Sequence, residues 1–100
     1  MFFVYVLESL KNGNLYIGYS RDWKKRLKEH NLGLNISTKS YIPWKCVYYE
    51  GCLNIKDAKR RERYLKTSQG SRLLKRRLKE YFYEKNIKSK FHYGVDKKAY

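Results

Sequence analysis

The stretch Phe2-Phe3-Val4-Tyr5-Val6-Leu7, followed by Asn12-Gly13 and then Leu15-Tyr16-Ile17-Gly18-Tyr19, decides the fold. Both apolar runs are rich in β-branched and aromatic residues, which suit a pleated, packed surface. Asn-Gly between two such runs is a strong hairpin signal, because the tightest hairpin turns need positive φ at their central residues. An antiparallel pair is therefore predicted over residues 2–7 and 15–19. Alternation puts Val4, Val6, Leu15 and Ile17 on one face, and Tyr5, Tyr16 and Gly18 on the other. With a two-residue turn, Tyr16 pairs with Ser9 and lies about 13 Å along the strand from Tyr5. A loop two residues longer keeps the parity and brings the tyrosines to about 7 Å. Gly18 leaves an open patch on their face, as glycines do where a ligand or backbone approaches closely.

Downstream, Ser20 or Asp22 caps a helix running to about Leu32, with Gly33 as its stop. Trp23, Arg26, Leu27 and His30 share one face of it, and Arg26 and His30 are neighbours one turn apart. Residues 33–45 read as a loop and residues 46–50 as a third strand. Asn54, with Asp57 three residues later, caps a second helix. That helix aligns Ala58, Arg61, Glu62 and Leu65. A carboxylate on a core-facing stripe needs a partner or a task. Gly70 separates it from a third helix of about residues 71–86, with an apolar stripe of Leu74, Leu78, Tyr81 and Phe82. The predicted class is α+β, a small three-stranded antiparallel sheet flanked by about three helices. The folded domain spans 1–86, and 87–100 is a basic C-terminal tail.

One hundred residues support one core. The charge balance is extreme, with 24 Lys and Arg against 9 Asp and Glu, a net +15. Self-repulsion of that size gains nothing in folding, so a polyanionic partner is implied, with nucleic acid first. Between residues 59 and 79 every charged side chain but Glu62 is basic. No apolar run is long enough to span a membrane or to form a secretory leader, so no membrane association and a cytoplasmic location are expected. Cys46 and Cys52 lack paired spacing, so neither a disulfide nor a zinc site is expected.

Phosphodiester hydrolysis needs a base for water, positive charge facing the phosphorane, help for the leaving oxygen and a holder for a metal. Phe3-Val4-Tyr5, Tyr16-Ile17-Gly18, Arg26, His30 and Glu62, in that order and approximate spacing, resemble the GIY-YIG endonuclease family. The resemblance runs from Phe2 to about Leu78 and is nearest the short stand-alone branch related to the nuclease half of the bacterial excision-repair incision subunit (UvrC-like).

It implies a hydrolase that cuts DNA in repair or processing. Glu62 would hold a single Mg²⁺ or Mn²⁺, Tyr16 would activate water with Tyr5 in support, Arg26 would meet the scissile phosphate, and His30 would orient a tyrosine or the substrate. A phenol titrates near ~10, so a tyrosine base needs cations such as Arg26, Lys25 or the metal beside it. Phe3 stands where the family's first motif has glycine. Tyr19 stands where many members have lysine, with Lys24 or Arg21 as replacements. Asn86 is the candidate for a late asparagine found in some members.

Gly18, Arg21, Lys24, Lys25, Arg61 and Lys66 are the substrate-binding candidates. DNA would be recognised by backbone and shape, with a targeting protein partner directing so small a domain. Two alternatives stay open from the residues alone: a non-catalytic nucleic-acid-binding module that kept the fold, and a basic component of an RNA assembly.

Overall fold

The computed structural model describes the backbone of residues 1–94 and the side chains of residues 1–86. Strand β1 (Phe2–Ser9) is the middle of the sheet, with β2 (Leu15–Ser20) antiparallel on one side and β3 (Trp44–Cys52) antiparallel on the other. Val4, Tyr5, Val6 and Leu7 are all buried. Covered on both faces, β1 reads as a continuous apolar run instead of an alternating one.

The hairpin takes the longer of the two predicted loops. Leu7 faces Tyr16 and Tyr5 faces Gly18. The loop is closed by Ser9 N–H to Asn14 O (2.8 Å) and Gly13 N–H to Ser9 O (2.9 Å), with Gly13 at φ 81°. The Ser9 hydroxyl oxygen accepts from the Lys11 and Asn12 amides, satisfying two donors inside the longer loop. This register sets the Tyr5 and Tyr16 rings 6.3 Å apart.

A bulge in β3 opposite Val6 and Leu7 pairs Val6 with Tyr48 but Leu7 with Cys46. The extra residue, Val47, reverses the side-chain parity, so that Tyr49, Cys46 and Trp44 all share Tyr5's face. Tyr5, Leu7 and Trp44 form the buried cluster there, with Tyr16, Trp23, Leu27, Ile42 and Cys46 packed around it.

Helix α1 (Trp23–Asn31) covers that face, with His30 against Tyr5 and Trp23 stacked on Tyr49 at 4.9 Å. Of the two predicted caps, Asp22 is the one used, accepting from the Lys25 amide at 3.0 Å, and Gly33 (φ 78°) follows as the stop. Helix α2 (Ile55–Leu65) meets residues of the Val4 face. Arg61 pairs with Glu50, and Lys59 lies over the Tyr19 ring. Asn54 caps it as predicted, and Ala58 and Leu65 are its buried residues.

The chain divides into two units, Met1–Lys66 and Thr67–Tyr100. In the second, the single helix predicted from about residue 71 is two helices, α3 (Ser68–Arg77) and α4 (Lys79–Gly94). Gly70 is not a separator. The Thr67 hydroxyl oxygen accepts from its amide at 3.1 Å and starts the helix ahead of it. The break falls at Leu78, whose φ of −106° and ψ of 28° leave the helical region. Helix α4 runs into the segment expected to be a tail, and residues 95–100 lie outside the described residues. Among the described residues no helix is long and apolar enough to cross a membrane.

Leu7→Ala removes a fully buried side chain from the central strand and should lower the unfolding free energy by about 2–5 kcal/mol. Leu53→Ala, at an exposed position, should leave it within about 0.5 kcal/mol. Urea denaturation of the three proteins checks both.

Candidate active site

Tyr5 leaves the middle of β1 towards α1, and Gly18 lies opposite it on β2. A Cβ at position 18 would sit 2.5 Å from Tyr5 Oη and 2.7 Å from its Cζ. The ring can lie across β2 only because that residue has no side chain. The patch expected to be open above Gly18 is therefore filled, by Tyr5 itself.

The buried phenol needs a hydrogen-bond partner and finds one on α1. The Tyr5 hydroxyl donates to His30 Nε2 at 3.3 Å, His30 Nδ1–H donates to Thr38 Oγ1 at 2.8 Å, and the Thr38 hydroxyl donates to Asn35 O at 3.4 Å. With Thr38's proton used on Asn35, the imidazole carries its own proton on Nδ1. Arg26, one helical turn before His30, lies near the same Tyr5 hydroxyl and pairs with Glu29 at 2.8 Å.

Burial pushes the Tyr5 phenol up, with the Arg26 hydrogen bond pulling partly back, so Tyr5 is a neutral donor at pH 7. Burial, and secondarily the charge of Arg26, pushes His30 below its ordinary 6.5, so the ring is neutral as well. The Tyr5 hydrogen bond holds Arg26 protonated more firmly still.

Tyr16 packs on His30 with ring centroids 4.8 Å apart and on Trp44 at 6.3 Å, and it is partly exposed. Trp44 is itself fixed, its amide and carbonyl paired with the Asn31 side chain at 2.7 and 2.9 Å and its indole N–H given to Thr38 O at 3.0 Å. A cleft of about 340 Å³ opens beside Arg26, Glu29 and His30, walled on its far side by residues 34–37. The arrangement joins a half-exposed guanidinium, a partly exposed phenol and two buried neutral groups that hold both in place.

Tyr5, Tyr16, Arg26 and His30 thus come together. Glu62 stands on α2, its side chain 16% exposed, and pairs with Lys66 Nζ at 2.9 Å. Arg61 is bound to Glu50 beside a second cavity of about 490 Å³ that includes Val4 and Tyr64. Arg21 lies over the Phe2 ring and Lys24 over Trp23, while Lys25 is exposed in the first turn of α1. Among the described residues no three His, Cys, Asp or Glu side chains are grouped as a metal site. Three members of the constellation were not read from the sequence. Glu29 was legible, three residues after Arg26. Thr38 and Trp44 were not, since a loop and a bulge bring them in.

The family model for the GIY-YIG catalytic domain matches residues 1–73. A UPF0213 protein of Clostridium perfringens is 36% identical over 92 residues, 87% of this chain and 98% of its own. A UPF0213 protein of Streptococcus pneumoniae is 35% identical over 85 residues, 84% and 79% of the two chains. One of Bacillus licheniformis is 36% identical over 95 residues, 94% and 87%. No solved structure gives a significant match.

A buried histidine whose folded pKa lies below its unfolded value binds its proton less well in the folded chain. Its contribution to stability is present above about pH 6.5 and is lost as pH falls from there through the folded value. The unfolding free energy should therefore drop between about pH 7 and pH 5.5. In His30→Gln the drop should be smaller, as checked by urea titrations at several pH values.

Proposed function

The chain belongs to the GIY-YIG family of nuclease-type domains, and on that footing we propose that it is a metal-dependent endonuclease hydrolysing phosphodiester bonds of DNA, in the cytoplasm, in repair or processing. The observation that carries the reading is the convergence of Tyr5, Tyr16, Arg26 and His30 on one face of the sheet, with Arg26 and His30 also lining a cleft open to solvent.

Each residue has a physical role in it. Arg26 presents a fixed positive charge to a phosphate oxygen, and the charge grows in value as the phosphorane forms. Tyr5 and His30 cannot exchange charge with it at neutral pH, since one is a protonated phenol and the other a neutral ring. They hold the guanidinium and the Tyr16 ring in position. Tyr16 is the partly exposed hydroxyl of the set and takes the part of activating water. Arg21 ahead of α1 and the exposed Lys24 and Lys25 in its first turn add positive charge near the site for the DNA backbone, at a net charge of +15. Recognition by backbone and shape, with a protein partner for targeting, completes the proposal.

Glu62 fits a divalent ion of the Mg²⁺ or Mn²⁺ kind. One carboxylate is enough for an ion that keeps several waters and shares phosphate oxygens, whereas a many-ligand cage would need the cluster that the described residues lack. Such an ion, held by Glu62, would supply charge for the leaving oxygen. One observation favours a second reading, DNA binding without cutting, because Lys66 already engages the Glu62 carboxylate and an ion must displace it.

The two readings separate on metal-dependent nicking of supercoiled and branched DNA. As a nuclease, the protein should cut with Mg²⁺ or Mn²⁺, and Glu62→Gln should lower the rate at least about 100-fold with DNA binding retained. Lys66→Ala should lower the metal concentration needed for half-maximal rate. Tight binding with no cutting in any metal supports the second reading.

A further inference from the structure

The loop that forms the far wall of the cleft is chemically odd. Leu34 and Ile36 are 69% and 91% exposed. Both line the same cleft as Arg26 and His30. They are also held there. The Leu34 amide donates to Glu29 O at 3.2 Å, and Gly33 turns the chain at φ 78°. Asn35 Oδ1 accepts from both the amide and the hydroxyl of Ser37, at 2.9 and 2.7 Å. Thr38 ties the end of the loop to His30. Two aliphatic side chains on a backbone held by these bonds thus stand in water at the mouth of a polar site, on a protein of net charge +15. Folding gains nothing from displaying them, and scattered exposure does not place two of them on the lining of one cleft beside an arginine.

The cleft offers an occupant the Arg26 guanidinium, paired at 2.8 Å with Glu29 of the same lining, on one side and the apolar surface of Leu34 and Ile36 on the other; a phosphate would compete with Glu29 for the guanidinium. A nucleotide has a part for each side, a phosphate and a flat base. Proteins that distort DNA use such aliphatic residues against unstacked base steps. A cleft of about 340 Å³ is at the low end of small-ligand sites, which run from about 300 Å³, and suits a single small planar group. We infer that Leu34 and Ile36 receive an unstacked nucleobase beside the phosphate held by Arg26, so that the site selects DNA that is unpaired next to the cut. This rests on the nuclease reading only in taking Arg26 as the phosphate contact. Unpaired positions are favoured because a base already out of the stack costs less to place in the cleft.

The test uses a forked duplex carrying 2-aminopurine at the branch, the full chain, and the double variant Leu34→Ser/Ile36→Ser, whose changes are at exposed positions and leave the core intact. With divalent metal omitted, 2-aminopurine fluorescence should rise when the wild-type protein binds. The double variant should still bind, by anisotropy of an end label, and lose most of that rise. With metal present, preference for the fork over fully paired DNA should fall on the order of tenfold in the variant. A fluorescence rise without any cutting supports the loop's role while removing the nuclease reading. Equal rises and equal preferences in the two proteins, or no rise with the wild type, overturn the inference and leave the loop to a protein partner.

Discussion

A phenol buried in the middle of a sheet is the constraint on which the rest of the structure depends. The Tyr5 ring lies across β2 where Gly18 leaves room, and its hydroxyl is then out of water. A buried hydroxyl without a partner costs about 1–3 kcal/mol. His30 supplies the partner and so fixes where α1 lies over the sheet. His30 is buried too and needs a partner of its own, which is Thr38. Thr38 in turn holds the Trp44 indole through its carbonyl. One buried polar group thus sets the glycine in β2, the position of α1, the path of the loop after it and the start of β3.

Arg26 lies beside this chain of bonds and is held by Glu29 at 2.8 Å. Its pair with Glu29 is half-exposed, and pairs of that kind contribute about 0–1 kcal/mol. The Arg60–Asp57 pair is more exposed still. Pairs of this kind leave the formal net charge of +15 unchanged. In the second unit, α3 ends in Lys75, Arg76 and Arg77, which complement its own dipole locally and add to the same excess.

Much of this was legible in the sequence because it rests on local rules. The hairpin, the Asp22 and Asn54 caps, the Gly33 stop and the facing of Tyr5 and Tyr16 all follow from alternation, turn residues and capping. The Arg26 and His30 pair follows from helical spacing. What was not legible depends on choices among local options. Ser9, by bonding its hydroxyl to Lys11 and Asn12, selected the longer loop. Thr67 outweighed Gly70 and started α3 early. The extra residue at Val47 has no sequence signal, yet it turns Trp44 to the Tyr5 face. Glu62 sits on the stripe predicted for it and largely out of solvent, and the partner such a carboxylate needs is Lys66, one turn later.

The central claim is that the Tyr5, Tyr16, Arg26 and His30 cluster is a site of phosphodiester hydrolysis with Tyr16 at its open side. The most direct measurement is single-turnover cleavage of end-labelled DNA by the wild type and by Tyr16→Phe, which removes one oxygen and keeps the ring against His30 and Trp44. The account predicts cleavage by the wild type in Mg²⁺ or Mn²⁺ and a rate at least about 100-fold lower in the variant, with unchanged DNA affinity and unchanged thermal stability. Equal cleavage rates in the two proteins would contradict it.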